Sequence, residues 1–151
     1  MSIVFLVYMK YKIPLQLVPL EEDGFHLLLK ASWYDRNLLL VLDTGASKTV
    51  FDKTVVSNWF PDLELRAVNQ TSAGLGTTEM ESHVLDLKRF QLGSCRIKGV
   101  KAAALDLQHI RETYAQLGYG DLDGILGGDI LHKYRATINY QKRLLILRDG
   151  K

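Results

Sequence analysis

Apolar and polar positions alternate along most of the chain. Ile13, Leu15 and Leu17 alternate with Lys12, Pro14 and Gln16, and a two-residue period predicts a strand with one buried face. Turn residues at 21–24 (Glu21, Glu22, Asp23, Gly24) precede an apolar strand over 25–31, and a turn at 34–37 leads into Leu38-Leu39-Leu40-Val41-Leu42. That last run does not alternate, which predicts a strand buried on both faces. Near the end, residues 136–140 and 144–147 read as two more strands joined by a turn at Gln141-Lys142. Short strands at close spacing with turn residues between them predict an all-β sandwich or barrel.

Three stretches carry helical signals. Residues 49–60 form an apolar-rich segment that stops before Pro61, a natural terminator. Residues 106–117 place Leu107, Ile110, Tyr114 and Leu117 on one helical face, with Asp106 at the N-cap and Gly118 just past the end. Residues 128–134 predict a short final helix. The apolar run 3–9 is followed, not preceded, by Lys10 and Lys12, and no small-residue cleavage pattern comes after it. It therefore reads as a strand or an extension within residues 1–10 rather than a signal peptide.

Composition narrows the picture. At 151 residues, 47% apolar, the chain is expected to form a single domain over 1–151. A chain of this size buries about two thirds of its unfolded surface without staples. Lys plus Arg is 19 and Asp plus Glu is 17, a net charge of +2, which argues against a nucleic-acid partner. No apolar run reaches the roughly 18 residues of a membrane span. The one cysteine, Cys95, cannot form an intrachain disulfide, and His26, His83, His109 and His132 share no metal-ligand spacing. No metal or cofactor is expected, and the expected location is cytoplasmic, with periplasmic or exported placement left open.

The chemistry concentrates at Asp43-Thr44-Gly45-Ala46-Ser47, directly after the buried strand. A carboxylate there is costly unless nearby N–H groups and hydroxyls hold it, and Gly45 permits the tight turn that aims an N–H at it. About 80 residues later comes Asp123-Gly124-Ile125-Leu126-Gly127-Gly128-Asp129, whose glycines let one backbone pass close under another. Asp52, Asp121, Asp123 and Asp129 read as caps or turn carboxylates, Asp129 either pairing with Arg135 or capping the last helix. Trp33, Trp59 and Met80 read as packing residues.

The two motifs together resemble the retropepsin-like aspartic proteases, and the helix at 106–117 resembles bacterial single-domain members more than viral ones. The resemblance implies an all-β fold, a closed barrel or acid-protease half with one or two added helices. It implies that Asp43 is the catalytic aspartate, that Thr44, Gly45 and Ala46 complete the active-site loop, and that Ile125, Leu126 and Gly127 brace it. Residues 71–77, with Gly74, Leu75 and Gly76 at their centre, are the candidate flap. Asn139 stands where such chains often carry Asp, at a structural position. The mechanism needs two carboxylates sharing a proton, yet the chain holds one Asp-Thr-Gly. The second is therefore expected to be Asp43 of another chain across a twofold axis, with Thr44 bonding across that axis. The implied activity is peptide-bond hydrolysis by a homodimer acting on a peptide or protein substrate. The alternative is a catalytically weak dimer of the same fold that only binds peptides. An actin-like phosphate site, which also uses an Asp-x-Gly turn, would need a longer chain of alternating strands and helices.

Overall fold

The computed structural model describes residues 8–68 and 82–150. In chain order these form β1 (Tyr8–Pro14), β2 (Gln16–Leu20), β3 (Gly24–Trp33), β4 (Arg36–Leu42), β5 (Val50–Asp52), α1 (Lys53–Trp59) and β6 (Arg66–Val68). After the undescribed residues come β7 (Ser82–Leu87), β8 (Phe90–Leu92), β9 (Cys95–Ile97), β10 (Val100–Leu105) and α2 (Gln108–Gln116). The chain finishes with β11 (Gly124–Leu126), α3 (Gly128–Lys133), β12 (Thr137–Asn139) and β13 (Leu144–Gly150).

The strands make two sheets. The larger runs β6-β7-β10-β5-β11-β4-β3-β8-β9, with β2 also on β3; the smaller is β1-β13-β12. The architecture is all-β, as the residue pattern implied, but the closed barrel is not found. Among the described residues the large sheet is open, ending at β6 and β9, because local alternation does not say whether end strands meet. Three short helices are present among the described residues.

The apolar run at 38–42 lies in β4, and its two faces meet two cores. Leu38, Leu40 and Leu42 join the main cluster with Phe51, Leu85, Phe90, Leu126 and Leu145. Val41 joins a smaller one with Val18, Leu28, Tyr114 and Leu122, and Leu39 packs at its margin. Helix α2 covers that second face through Tyr114 and Ile110, which is why β4 carries no polar alternate. Trp33 is 1% exposed and packs against Phe51 and Phe60 with ring centroids 4.6 and 4.7 Å apart. Trp59 is half-buried, and Met80 lies outside the described residues. Burial pushes the Cys95 thiol up to about 11.

The helix expected over 49–60 is a strand followed by a shorter helix. Val50 and Phe51 pair with Ala103 and Ala104 of β10 and with β11. The helix begins only after Asp52, whose side chain caps it by accepting the Val55 N–H at 3.1 Å. Sheet pairing takes residues 50–52 out of the expected helix. Helix α2 starts one residue later than an Asp106 cap predicts, with Leu107 at the N-cap. Asp106 accepts the Gln108 N–H at 2.9 Å, and Gly118 adopts φ +79° just beyond the end. Residues 8–10 belong to β1, which pairs with β13 along its length. Leu145 and Leu147 of β13 are fully buried. Asn139 accepts the Lys142 N–H at 2.9 Å and so holds the turn before β13.

Candidate active site

Strands β4 and β11 lie side by side and parallel, with Leu40 opposite Gly124 and Leu42 opposite Leu126. Parallel neighbours end at the same edge, so the loops that follow them meet. Asp43 leaves β4 with its N–H donated to Leu126 O at 3.1 Å. Its Oδ1 accepts the Gly45 N–H at 2.9 Å, and its carbonyl accepts the Ala46 N–H at 3.2 Å. The tight turn so closed leaves Asp43, Thr44 and Gly45 exposed and Ala46 half-buried.

The Gly127-Gly128 pair runs directly beneath that turn. Gly128 N–H donates to Ala46 O at 2.7 Å, and Asp129 N–H donates to Ser47 O at 3.1 Å. A Cβ on Gly127 would stand 2.5 Å from the carbonyl carbon and oxygen of Lys48 and 2.9 Å from Ala46 O. Only glycine permits this approach. The residues of the two motifs, Asp43 to Ala46 and Ile125 to Gly127, are thus brought together in one place. Ile125 is half-buried, and Leu126 is fully buried.

Sequence reasoning missed the clasp beside them. Thr49 is fully buried. Its hydroxyl donates to Asp129 Oδ1 at 2.7 Å and accepts the Gly127 N–H at 3.1 Å; its own N–H lies 3.0 Å from both Asp129 oxygens. Ile130 N–H adds a third donor to the carboxylate at 2.8 Å. Asp129 therefore neither pairs with Arg135 nor acts only within its helix: it ties the end of the Asp43 loop to α3. A carboxylate in the first helical turn also complements the helix dipole. Arg135 instead lies over the Tyr8 ring, 4.6 Å from its centroid.

A hollow of about 360 Å³ opens beside Asp43. Val41 and Ile125 form its floor, and Ile110, Thr113 and Tyr114 of α2 form one wall. His26 Nδ1 and the Tyr114 hydroxyl are hydrogen-bonded across it. Burial first, and then the negative charge of Asp43, hold the Tyr114 phenol above its ordinary value, so it keeps its proton beside the carboxylate. The wall is pinned from behind. Asp52, 1% exposed, accepts the Leu107 N–H at 2.9 Å and pairs with Arg111 at 3.3 Å. Arg111 also donates to Leu122 O at 2.8 Å. Asp123 accepts the Leu39 N–H at 2.9 Å, and burial outweighs that bond and Arg111 in raising its carboxyl above the usual range.

A second hollow, about 540 Å³, borders the same loop through Gly45, Ala46, Ser47 and Lys48 and is walled by β7 and β10. The candidate flap residues Gly74, Leu75 and Gly76 lie outside the described residues. Among the described residues, no group of three or more His, Cys, Asp or Glu could hold a metal ion, and no helix is long and apolar enough to cross a membrane.

No curated protein matches the sequence significantly. Solved structures that share the fold include two retropepsin-like ones. A retropepsin-like aspartic protease from Rickettsia conorii superposes with a TM-score of 0.56 at 17% identity, covering 99% of this chain and 98% of that one. The retroviral protease-like domain of Ddi1 from Leishmania major gives 0.58 at 14% identity, covering 83% and 94%. A family model described as aspartyl protease matches residues 29–130, a span that holds both motifs and the helix between them. By that match and its retropepsin-like fold, the chain belongs to the aspartyl protease family.

Proposed function

We propose that the protein is an aspartic endopeptidase whose active site is assembled from two copies of Asp43, one from each chain of a homodimer. The observation that carries this is the setting of Asp43. Its carboxylate stands exposed at the end of a buried strand, held at Oδ1 by one backbone N–H. The loop around it is clamped by glycine contacts and by the Thr49–Asp129 clasp. Rigid support under an exposed acid suits an acid that must be aimed.

One chain supplies one such acid, and water activation for peptide hydrolysis takes two. When two loops meet across a twofold axis, like charges at close range cannot both ionise, so the pair shares one proton. The ionised carboxylate takes a proton from a water whose oxygen attacks the peptide carbonyl carbon. The protonated carboxyl donates a hydrogen bond to the carbonyl oxygen and transfers its proton as the tetrahedral intermediate forms. Collapse returns a proton to the leaving nitrogen as the C–N bond breaks. In this reading Thr44, exposed beside Asp43, bonds across the axis, and the apolar hollow under α2 takes a substrate side chain next to the cleaved bond.

Asp43→Asn tests the reading, because a carboxamide can neither accept the water's proton nor share one with its partner. The variant is expected to fold, dimerise and lose nearly all cleavage of a peptide library. Retention of a tenth of the wild-type rate would contradict the assignment. A well-formed wild-type dimer that binds peptides and cleaves none would favour a binding module.

A further inference from the structure

The second hollow beside the Asp43 loop differs in chemistry from the one under α2. Its floor is small and apolar, with Val50, Val84 and Ala103, and its two charged liners are both cations, Lys48 and Lys101. No described carboxylate lines it. Both lysines are exposed, and neither forms an ion pair with a described residue. Asp86, which faces Lys101 across the β7–β10 pair, is engaged by Arg66 at 3.5 Å. Two cations with no described ion-pair partner around one concave surface raise the local concentration of anionic groups.

The hollow is continuous with the active-site loop, since Gly45 and Ala46 line it and Asp43 precedes them by two and three residues. An extended peptide advances about 3.3 Å per residue. A peptide with its scissile carbonyl at Asp43 therefore carries a side chain past Lys48 within a few residues. We propose that this hollow is a subsite for an acidic side chain, so that the substrates are peptides bearing Asp or Glu within about three residues of the cleaved bond. This deepens the endopeptidase reading and rests on it.

An exposed ion pair is worth little alone, so two lysines together are expected to favour an acidic peptide over its amide analogue about five-fold in kcat/KM. Salt screens such contacts. The test uses matched peptides with Glu, Gln or Lys at each position flanking an apolar cleavage site. They are offered to the wild-type protein, to Lys48→Glu and to Lys101→Glu. The same labelled peptides are titrated against Asp43→Asn by fluorescence anisotropy, which reads the subsite without turnover. The expected result is a Glu preference at one position that shrinks in about 0.5 M salt, together with a preference for Lys at that position in Lys48→Glu. Glu-selective binding without any wild-type cleavage would sustain the subsite and refute the protease reading. Cleavage with no Glu–Gln difference at any position would overturn the subsite alone, as would a preference that survives both charge reversals. Absence of both cleavage and selective binding would overturn the two together.

Discussion

The Thr49 hydroxyl offers the sharpest test of how the active-site loop is held. Thr49→Val keeps the shape and removes one oxygen from a site that is fully buried. Gly127 N–H then loses its acceptor at 3.1 Å, and Asp129 loses a charge-assisted bond of 2.7 Å while keeping the Thr49 and Ile130 N–H groups. An orphaned buried donor costs about 1–3 kcal/mol, and a bond to a charged group is worth about 1.5–3 kcal/mol. The added methyl returns roughly 1 kcal/mol through apolar burial. The net loss is about 3 kcal/mol, a large part of the 5–15 kcal/mol typical of a domain. With a urea slope near 2 kcal/mol per molar, the midpoint is expected to fall by about 1.5 M. Both proteins must be compared at one concentration, because a dimer's apparent stability depends on it. Thr49→Ser keeps the hydroxyl and is expected to lose only about 1 kcal/mol. A Thr49→Val midpoint equivalent to less than about 0.5 kcal/mol of change, or a Ser variant as damaged as the Val variant, would refute the clasp.

Two further substitutions probe the supports on either side. Gly127→Ala pushes a Cβ to 2.5 Å from the Lys48 carbonyl; it is expected to cost about 1–3 kcal/mol in denaturant unfolding and to lower cleavage, and wild-type values for both would show that the loop does not need this approach. Asp123 has its carboxyl raised by burial, so the folded state holds its proton to higher pH than the unfolded chain does. Its contribution is full below the ordinary carboxylate value, about 4, and is lost as pH rises through the raised value. Asp123→Asn does not titrate, so from pH about 4 to 7 it is expected to gain stability relative to wild type. Unfolding curves across that range that move the other way would contradict the sign.

Much of the fold was legible because it is written in short-range patterns. The non-alternating Leu38–Leu42 run announced a strand with two buried faces, and helix α2, which supplies the second core, carried its own apolar face and terminal glycine. The glycine at 127 signalled a close backbone passage, and the structure shows which backbone passes. Other features rest on pairs distant in sequence. Thr49 and Asp129 are 80 residues apart and His26 and Tyr114 are 88 apart, so no local window connects them. Val50 and Phe51 fit a helical spacing as well as a strand; Asp52, a cap residue inside the run, was the available sign that the helix begins later. Strands β8 and β9 are three residues long, and β10 is rich in alanine, which has little strand preference. The left-handed turns at Gly93 and Gly99, φ +58° and +67°, are what punctuate them. Whether the sheet closes depends on its end strands, which alternation does not encode.

The shared-site mechanism is tested most directly by mixing chains. Wild-type protein is combined with increasing Asp43→Asn protein, the dimers are allowed to re-equilibrate, and cleavage is measured per wild-type chain. If each active site needs Asp43 from both chains, random pairing at a nine-fold excess of the variant leaves about one wild-type chain in ten with a competent partner. Activity per wild-type chain is then expected to fall about ten-fold. Activity that stays constant, with mixed dimers confirmed by mass, would mean that a single Asp43 suffices and would contradict the two-chain site.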